Sequence, residues 1–419
     1  MKILLRVIYE SLSQASQQLR ANKLRTFLSL LGVTIGIFCI IGVQSAVDSL
    51  QDNVMNSLDK LGDDVVYISK MPWAENPEQN FWKYRRRPSP DYKDFEAIKR
   101  KVKSAGLVNY NQFVGVRTAK WRSNSVERVY IGANTYDFME IYNVELDKGR
   151  YLTPGEYHRG ENKVLMGYDV AEQLFGKIDP IGKKFKLSGR DMEVIGVFKK
   201  SGKDVINIMN FDPSISISYE LAKRIANVKN VFAWGASISV KAEDGYTVDQ
   251  LKDELTGVLR AQRRLKPKED DNFALNTQSI LAGLMDQLFG VLQGVGTIIG
   301  IFAIIVGMVS VANIMFVSVK ERTNIIGIKK ALGAKRSVIL LEFLVESIIL
   351  CILGGAIGLG FVFLLLKGLE DSMPFPVYVD IGNILFGVGL SIVVGILSGF
   401  IPAFRAAHMD PVVAIRQSG

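Results

Sequence analysis

Two cysteines and two histidines in 419 residues leave little material for disulfide or metal chemistry. Cys39 and Cys351 both lie inside long apolar runs, so the segment between residues 48 and 284, which has none, must rest on its own core without cross-links. His158, in Glu-Tyr-His-Arg-Gly, and His408, near the C-terminus, cannot make a histidine-rich metal site. No phosphate-binding GxxxxGK[ST] loop occurs; the nearest stretch, Leu-Phe-Gly-Lys-Ile at 174–178, lacks the first glycine and the hydroxyl residue. No serine sits in a GxSxG elbow. Carboxylates between residues 48 and 284 are scattered among cations, as on a solvated surface, and the chain is read as non-enzymatic.

What is abundant is apolar sequence, 48% of the chain, and it is unevenly spread. A membrane-crossing helix needs about 20 mostly apolar residues. Four stretches qualify: 26–47, 288–319, 338–366 and 384–404. The first is read as a retained span, because an amphipathic segment over residues 1–25 precedes it and no small-x-small cleavage site follows. Residues 1–25 carry Lys2, Arg6, Arg20, Lys23 and Arg25 against Glu10, and the connector near 319–337 is equally basic. The 367–383 connector has Lys367 against Glu370, Asp371 and Asp380. The positive-inside rule therefore predicts cytoplasmic termini, a cytoplasmic 319–337 connector, and an external domain over 48–284. That domain holds 37 of the 51 Lys and Arg, but long domains translocate regardless of charge. The formal net charge of +9 is partly an orientation signal and is not read as nucleic-acid binding.

The external segment reads as mixed α/β in two lobes. The first helix continues toward Gly62, and Asp-Val-Val-Tyr-Ile-Ser follows as a strand. Residues 76–90, including Lys-Tyr-Arg-Arg-Arg-Pro-Ser-Pro, read as a loop with a solvated charge run. A helix is predicted over 91–105, strands over 108–121 and 125–133, and a short helix over 135–143. Further on come a strand at 163–167, a helix at 168–176, and a hairpin over 183–198 turning at Ser188-Gly189. A strand at 237–242 and a helix at 247–265 complete it.

Between the second and third spans lies Glu-Arg-Thr-Asn-Ile-Ile-Gly-Ile-Lys-Lys-Ala-Leu-Gly-Ala-Lys-Arg, residues 321–336. Ile325, Ile326, Ile328, Ala331 and Leu332 fall at helical spacing, with Lys329 and Lys330 on the other face. The helix is expected to begin near Asn324 and to end at Gly333 in the left-handed C′ position. An apolar face of about two turns is small for a lipid anchor and suits a protein partner better. Glu342 and Glu346, four residues apart, are expected near the interface, paired with Lys335 or Arg336. Glycines four apart, Gly32 and Gly36, Gly290 and Gly294, Gly296 and Gly300, Gly354 and Gly358, Gly395 and Gly399, allow close helix contact, within one bundle or between subunits.

Residues 321–360 resemble the cytoplasmic coupling helix and following span of the FtsX-like permeases, the MacB-type ABC transporter superfamily. Leu-Arg-Ala-Asn-Lys-Leu-Arg-Thr-Phe-Leu-Ser-Leu-Leu-Gly-Val-Thr-Ile-Gly-Ile at 19–37 resembles that family's opening, and residues 164–198 its periplasmic core domain. Pro402-Ala-Phe-Arg-Ala-Ala-His-Met-Asp-Pro-Val-Val-Ala-Ile-Arg-Gln417 resembles its ending. The resemblance implies one span, a large external domain, and an FtsX-like permease domain over 285–419 with three spans. It also implies a membrane-bound permease with no cofactor of its own, working with a second permease subunit, identical or homologous, and two copies of a cytoplasmic ABC ATPase that carry ATP and Mg. Without a Walker motif here, that ATPase is expected to be a separate chain. Glu321, Arg322, Ile325, Ile326, Gly327, Lys329, Lys330, Leu332 and Gly333 match the docking element. The chain departs from the family's pattern at Asn324, commonly Glu, and at Phe404, commonly a cation. The implied function is export of a peptide, drug or other amphiphile by mechanotransmission from a bacterial inner membrane, with a possible periplasmic adaptor or lipoprotein client. Lipoprotein release of the LolC/LolE kind, FtsX-like control of a cell-wall hydrolase, and an ATP-independent receptor are the alternatives.

Overall fold

The computed structural model describes residues 23–75, 77–202, 210–226, 228, 235–369, 372, 373 and 375–416. The amphipathic segment expected over 1–25 lies, up to residue 22, outside the described residues. Two compact units emerge: an α/β unit, Asn53–Asp286, and a helical unit from the residues on either side of it.

The α/β unit starts on the last turns of α1 (Lys23–Asp59), after which Gly62 takes φ +80° and the chain enters β1 (Val65–Ser69). Residues 77–85 are helical, not a loop: α2 (Pro77–Arg85) begins on a proline whose fixed φ suits the first helical position, and it buries Tyr84 completely. Lys83 and Arg87 lie against that ring, so the charge run is partly anchored on an aromatic core residue. Then come α3 (Tyr92–Lys101), β2 (Ala105–Trp121), β3 (Asn124–Asn134), α4 (Phe138–Ile141), β4 (Leu146–Gly149), α5 (Pro154–Arg159), β5 (Lys163–Met166), α6 (Tyr168–Phe175), β6 (Lys184–Leu187) and β7 (Arg190–Phe198). The unit ends with β8 (Ser214–Ser218), α7 (Tyr219–Ile225), β9 (Ala236–Ala242), α8 (Val248–Gln262), β10 (Ala274–Thr277) and the first residues of α9 (Gln278–Glu321).

The ten strands among the described residues form one sheet in the order β10-β1-β9-β2-β3-β8-β5-β7-β4, with β6 pairing both β7 and β2. Those two pairings close a ring of six strands, β2-β3-β8-β5-β7-β6, and the 17-residue β2 carries the sheet from that ring to the β9-β1-β10 end. The two expected lobes are thus two ends of one continuous sheet. Bulges at Phe113/Gly115 and Arg117/Ala119 bend β2, and Gly115 takes φ +134° there. The β6-β7 turn has the predicted form: Leu187 pairs with Arg190, and Ser188 and Gly189 both have positive φ. Helix α8 presents Leu251, Leu255 and Leu259, each fully buried at i, i+4, i+8, to the core that Val66, Ile98, Val164 and Ile217 share. A buried ion pair, Arg263 to Asp94 at 2.6 Å, ties the end of α8 to the capping box of α3.

The helical unit contains the greater part of α1 and α9, then α10 (Thr323–Ala331), α11 (Arg336–Leu369), α12 (Ile381–His408) and α13 (Pro411–Arg416). Four of these helices are long and apolar enough to cross a membrane. Glycines set their spacing. A Cβ on Gly32 would lie 3.1 Å from Gly307 Cα, and one on Gly36 would lie 3.2 Å from the Ile304 nitrogen, so α1 and α9 meet backbone to backbone. Gly354 and Gly358 of α11 face Val33 and the Thr34 carbonyl of α1, while Gly395 and Gly399 of α12 face Ile348 and Ser347 of α11. Gly296 and Gly300 receive Val43 and Ile40. These pairs therefore pack helices of this chain, whereas a Cβ on Gly290 or Gly294 would meet no other helix within 4 Å among the described residues. At one end of the bundle Asp48 accepts from Gln293 and Asn383, both at 3.0 Å.

Candidate coupling site

At the connector between the second and third long helices the chain breaks at Arg322 and restarts as α10. The helix stops as expected. Gly333 has φ +89°, its N–H donates to the Lys330 carbonyl and that of Ala334 to the Lys329 carbonyl, the paired bonds of a left-handed helix end. It starts at Thr323, one residue before the predicted position.

Which residues point where differs from the sequence reading. Arg322, Ile326, Lys329 and Lys330 share one face, at i, i+4, i+7 and i+8, and that face turns inward. Ile326 is buried in the bundle core with Ile339 and Phe343. Lys329 donates to both oxygens of Glu342, at 2.7 and 3.0 Å, and Arg322 lies 3.4 Å from Glu346, which is completely buried. The other Glu346 oxygen has no hydrogen bond. Lys330 reaches the carbonyls of Ala407, at 3.0 Å, and Met409, where α12 ends and its last carbonyls lack helical partners. Gly327 lies against Ala414 and Ile415 of α13, with room for no side chain: a Cβ would stand 2.9 Å from that of Ala414.

The partners expected for the two carboxylates, Lys335 and Arg336, are thereby corrected. Glu342 and Glu346 pair with Lys329 and Arg322, whose helix folds back over the start of α11, whereas Lys335 and Arg336 are exposed. The single apolar stripe is corrected too. Ile326 belongs to the inward face, and the outward one carries Ile325, Ile328 and Leu332, at 54%, 47% and 84% exposure. Glu321, Asn324 and Ala331 are exposed beside them. The cations therefore clamp α10 to its own chain, and an apolar ridge is what it offers outward. The helical wheel held this split, but not which side was inside. Where the family's pattern has a cation at Phe404, the neighbouring Arg405 lies 5.2 Å from the Phe316 ring of α9. Among the described residues no group of three or more His, Cys, Asp and Glu is placed to hold a metal ion.

One apolar span before a mixed α/β domain and three after it, with a clamped amphipathic helix in the first connector of the latter, define a multi-pass membrane protein. Residues 26–258, over half of the chain, match the MacB-like periplasmic core domain, and residues 297–411 match the FtsX-like permease C-terminal domain. The chain belongs to the MacB-like ABC transporter permease family. It is 27% identical to the uncharacterized ABC transporter permease YknZ of Bacillus subtilis (strain 168), over 98% of this chain and 99% of that one. It is 26% identical to the macrolide export ATP-binding/permease protein MacB of Neisseria meningitidis serogroup A, over 97% of this chain but only 61% of that protein. The crystal structure of the periplasmic region of MacB from Actinobacillus actinomycetemcomitans superposes with a TM-score of 0.43 at 15% identity, covering 55% of this chain and 95% of that one.

Proposed function

We propose that the chain is the permease subunit of an exporter in a bacterial plasma membrane, with both termini cytoplasmic, and that α10 couples it to an ATPase lying outside these 419 residues. The observation that carries this reading is the division of α10: Ile325, Ile328 and Leu332 are exposed, while Arg322, Ile326, Lys329 and Lys330 are committed to α11, the end of α12 and the core. An apolar ridge on a helix fixed by three cations suits the transmission of a push, because the ridge can bind a partner without releasing the clamp. Two ATPase copies closing on ATP would move α10 in each of two permease subunits, identical or homologous. The clamp would pass that movement to α11 and α12, and the external domain would respond. This is mechanotransmission. The cargo is proposed to be a peptide, drug or other amphiphile, in keeping with relatives named for macrolide export and, at 29% identity, for pyoverdine export.

Affinity purification in mild detergent tests it, using wild type and an Ile328→Asp, Leu332→Asp double variant. The expected result is an ATPase that co-purifies with wild type and is lost from the variant while the variant remains folded. Absence of an ATPase from both samples would sink the coupling reading in favour of an ATP-independent receptor. Lipid-modified clients, or a cell-wall hydrolase, in the wild-type eluate would replace export by lipoprotein release or by hydrolase control.

A further inference from the structure

The α/β unit carries a cleft of about 510 Å³ that the coupling reading does not use. It lies between α3, the segment joining β3 to α4, and α5, and three tyrosines line it: Tyr92, Tyr136 and Tyr157. The rings are set at different inclinations, Tyr136 to Tyr157 at 71° with centroids 5.9 Å apart, so together they present faces and edges to one space. Tyr92 is held in place by stacking on Tyr219 at 4.6 Å. Tyr157 is 5% exposed. Its hydroxyl, and those of Tyr92 and Tyr136, have no hydrogen-bond partner among the described residues, which leaves them to solvent or to a ligand in the cleft. Around them stand Lys99, Arg100, Glu96 and Asp137, two cations against two carboxylates, with Lys99 and Asp137 3.7 Å apart.

We infer that this cleft binds a neutral glycan, on the scale of a disaccharide. Its volume falls within the range of small-molecule sites, about 300–1,000 Å³. Aromatic walls match the C–H faces of a sugar ring, and phenols that both donate and accept match its hydroxyls. The balanced rim offers further donors and acceptors while giving a net-charged ligand no net attraction, which disfavours anionic lipids and nucleotides. A wholly apolar ligand would leave the tyrosine hydroxyls and the rim groups unpaired, at a cost in affinity.

The test uses the full chain in lipid nanodiscs and saturation-transfer NMR, with maltose, cellobiose and di-N-acetylchitobiose as probes and the uncharged peptide acetyl-Ala-Phe-Ala-amide for comparison. At least one disaccharide is expected to bind saturably. Tyr136→Ala, which removes an exposed wall, should weaken it about tenfold. Tyr157→Phe, which removes only a hydroxyl and keeps the packed ring, should weaken it roughly two- to tenfold. No saturable signal from any disaccharide would overturn the inference, as would binding that both variants leave unchanged. Binding of the peptide without any sugar would overturn it too, and would assign the cleft to peptides. None of these results depends on an ATPase, so they stand apart from the fate of the coupling reading.

Discussion

The two units of the chain place their large apolar residues differently. In the α/β unit the large side chains turn inward, and Val66, Ile98, Leu174 and Leu255 are fully buried in one core beneath the sheet. In the helical unit many of them turn outward instead: Val291, Phe302 and Leu364 are about two-thirds exposed, at 67%, 67% and 65%, as lipid-facing residues must be. Where the long helices meet, small residues such as Gly307, Gly355 and Gly395, with Ser347 and Ser391, are buried beside a core of Ile37, Met315 and Phe343. The hydrophobic effect thus assembles one unit, while the other depends on close backbone approach and a few polar ties at its ends. A change of volume in the first leaves a hole; in the second it forces helices apart.

The largest effect is expected where the α/β unit departs from its own rule and buries charge. Asp94 and Arg263 are 5% and 8% exposed and pair with each other. Removing one partner strands the other, so Asp94→Ala should destabilise the α/β unit by about 3–5 kcal/mol. Denaturant unfolding followed by tyrosine fluorescence checks this. An unchanged midpoint would show that water already reaches the pair. In the helical unit the matching perturbation is an added side chain. Gly395→Val places its Cβ 2.6 Å from the Ile348 backbone and should cost about 1–3 kcal/mol in thermal stability, whereas Gly290→Val, in open space, should cost little. Equal losses from both would break the distinction between the two modes of packing.

Much of this was legible in the sequence, for identifiable reasons. The spans are long uniform runs, and the Ser188-Gly189 hairpin and the Gly333 helix end are local signals, each fixed by backbone chirality. Strand β8, Ser-Ile-Ser-Ile-Ser, is too short a pattern to stand out in the sequence, although it sits between β3 and β5 inside the closed ring. Helix α2 was hidden by a charge run whose one buried residue, Tyr84, gives no periodicity. On α10 the sequence shows an amphipathic helix but not which of its faces turns inward. That depends on Glu342 and Glu346, 13 and 24 residues beyond the cations they bind, and no local pattern reports contacts of that range.

The smallest effect is electrostatic and belongs to a buried carboxylate of the α/β unit. Glu156 accepts from both Arg150 guanidinium nitrogens at 2.7 Å and from Lys163 at 2.6 Å, and it closes the capping box of α5 with Thr153. The Arg150 hydrogen bonds, followed by those from Lys163 and Thr153, hold its carboxyl far below the ordinary value of 4.5 despite its burial. A depressed carboxyl stabilises the fold above the unfolded pKa and loses that contribution as pH falls toward the folded one. Stability of the α/β unit should therefore be level in this respect above pH 4.5 and decline below it. Glu156→Gln keeps the shape and removes the charge, so it should lower the plateau and flatten the acid slope between pH 4.5 and about 3 in thermal unfolding of the full chain. A slope unchanged in the variant would mean that other carboxylates carry the acid sensitivity. The unit would then be fixed by its core alone, with the Arg150-Glu156-Lys163 cluster contributing only to the local cap.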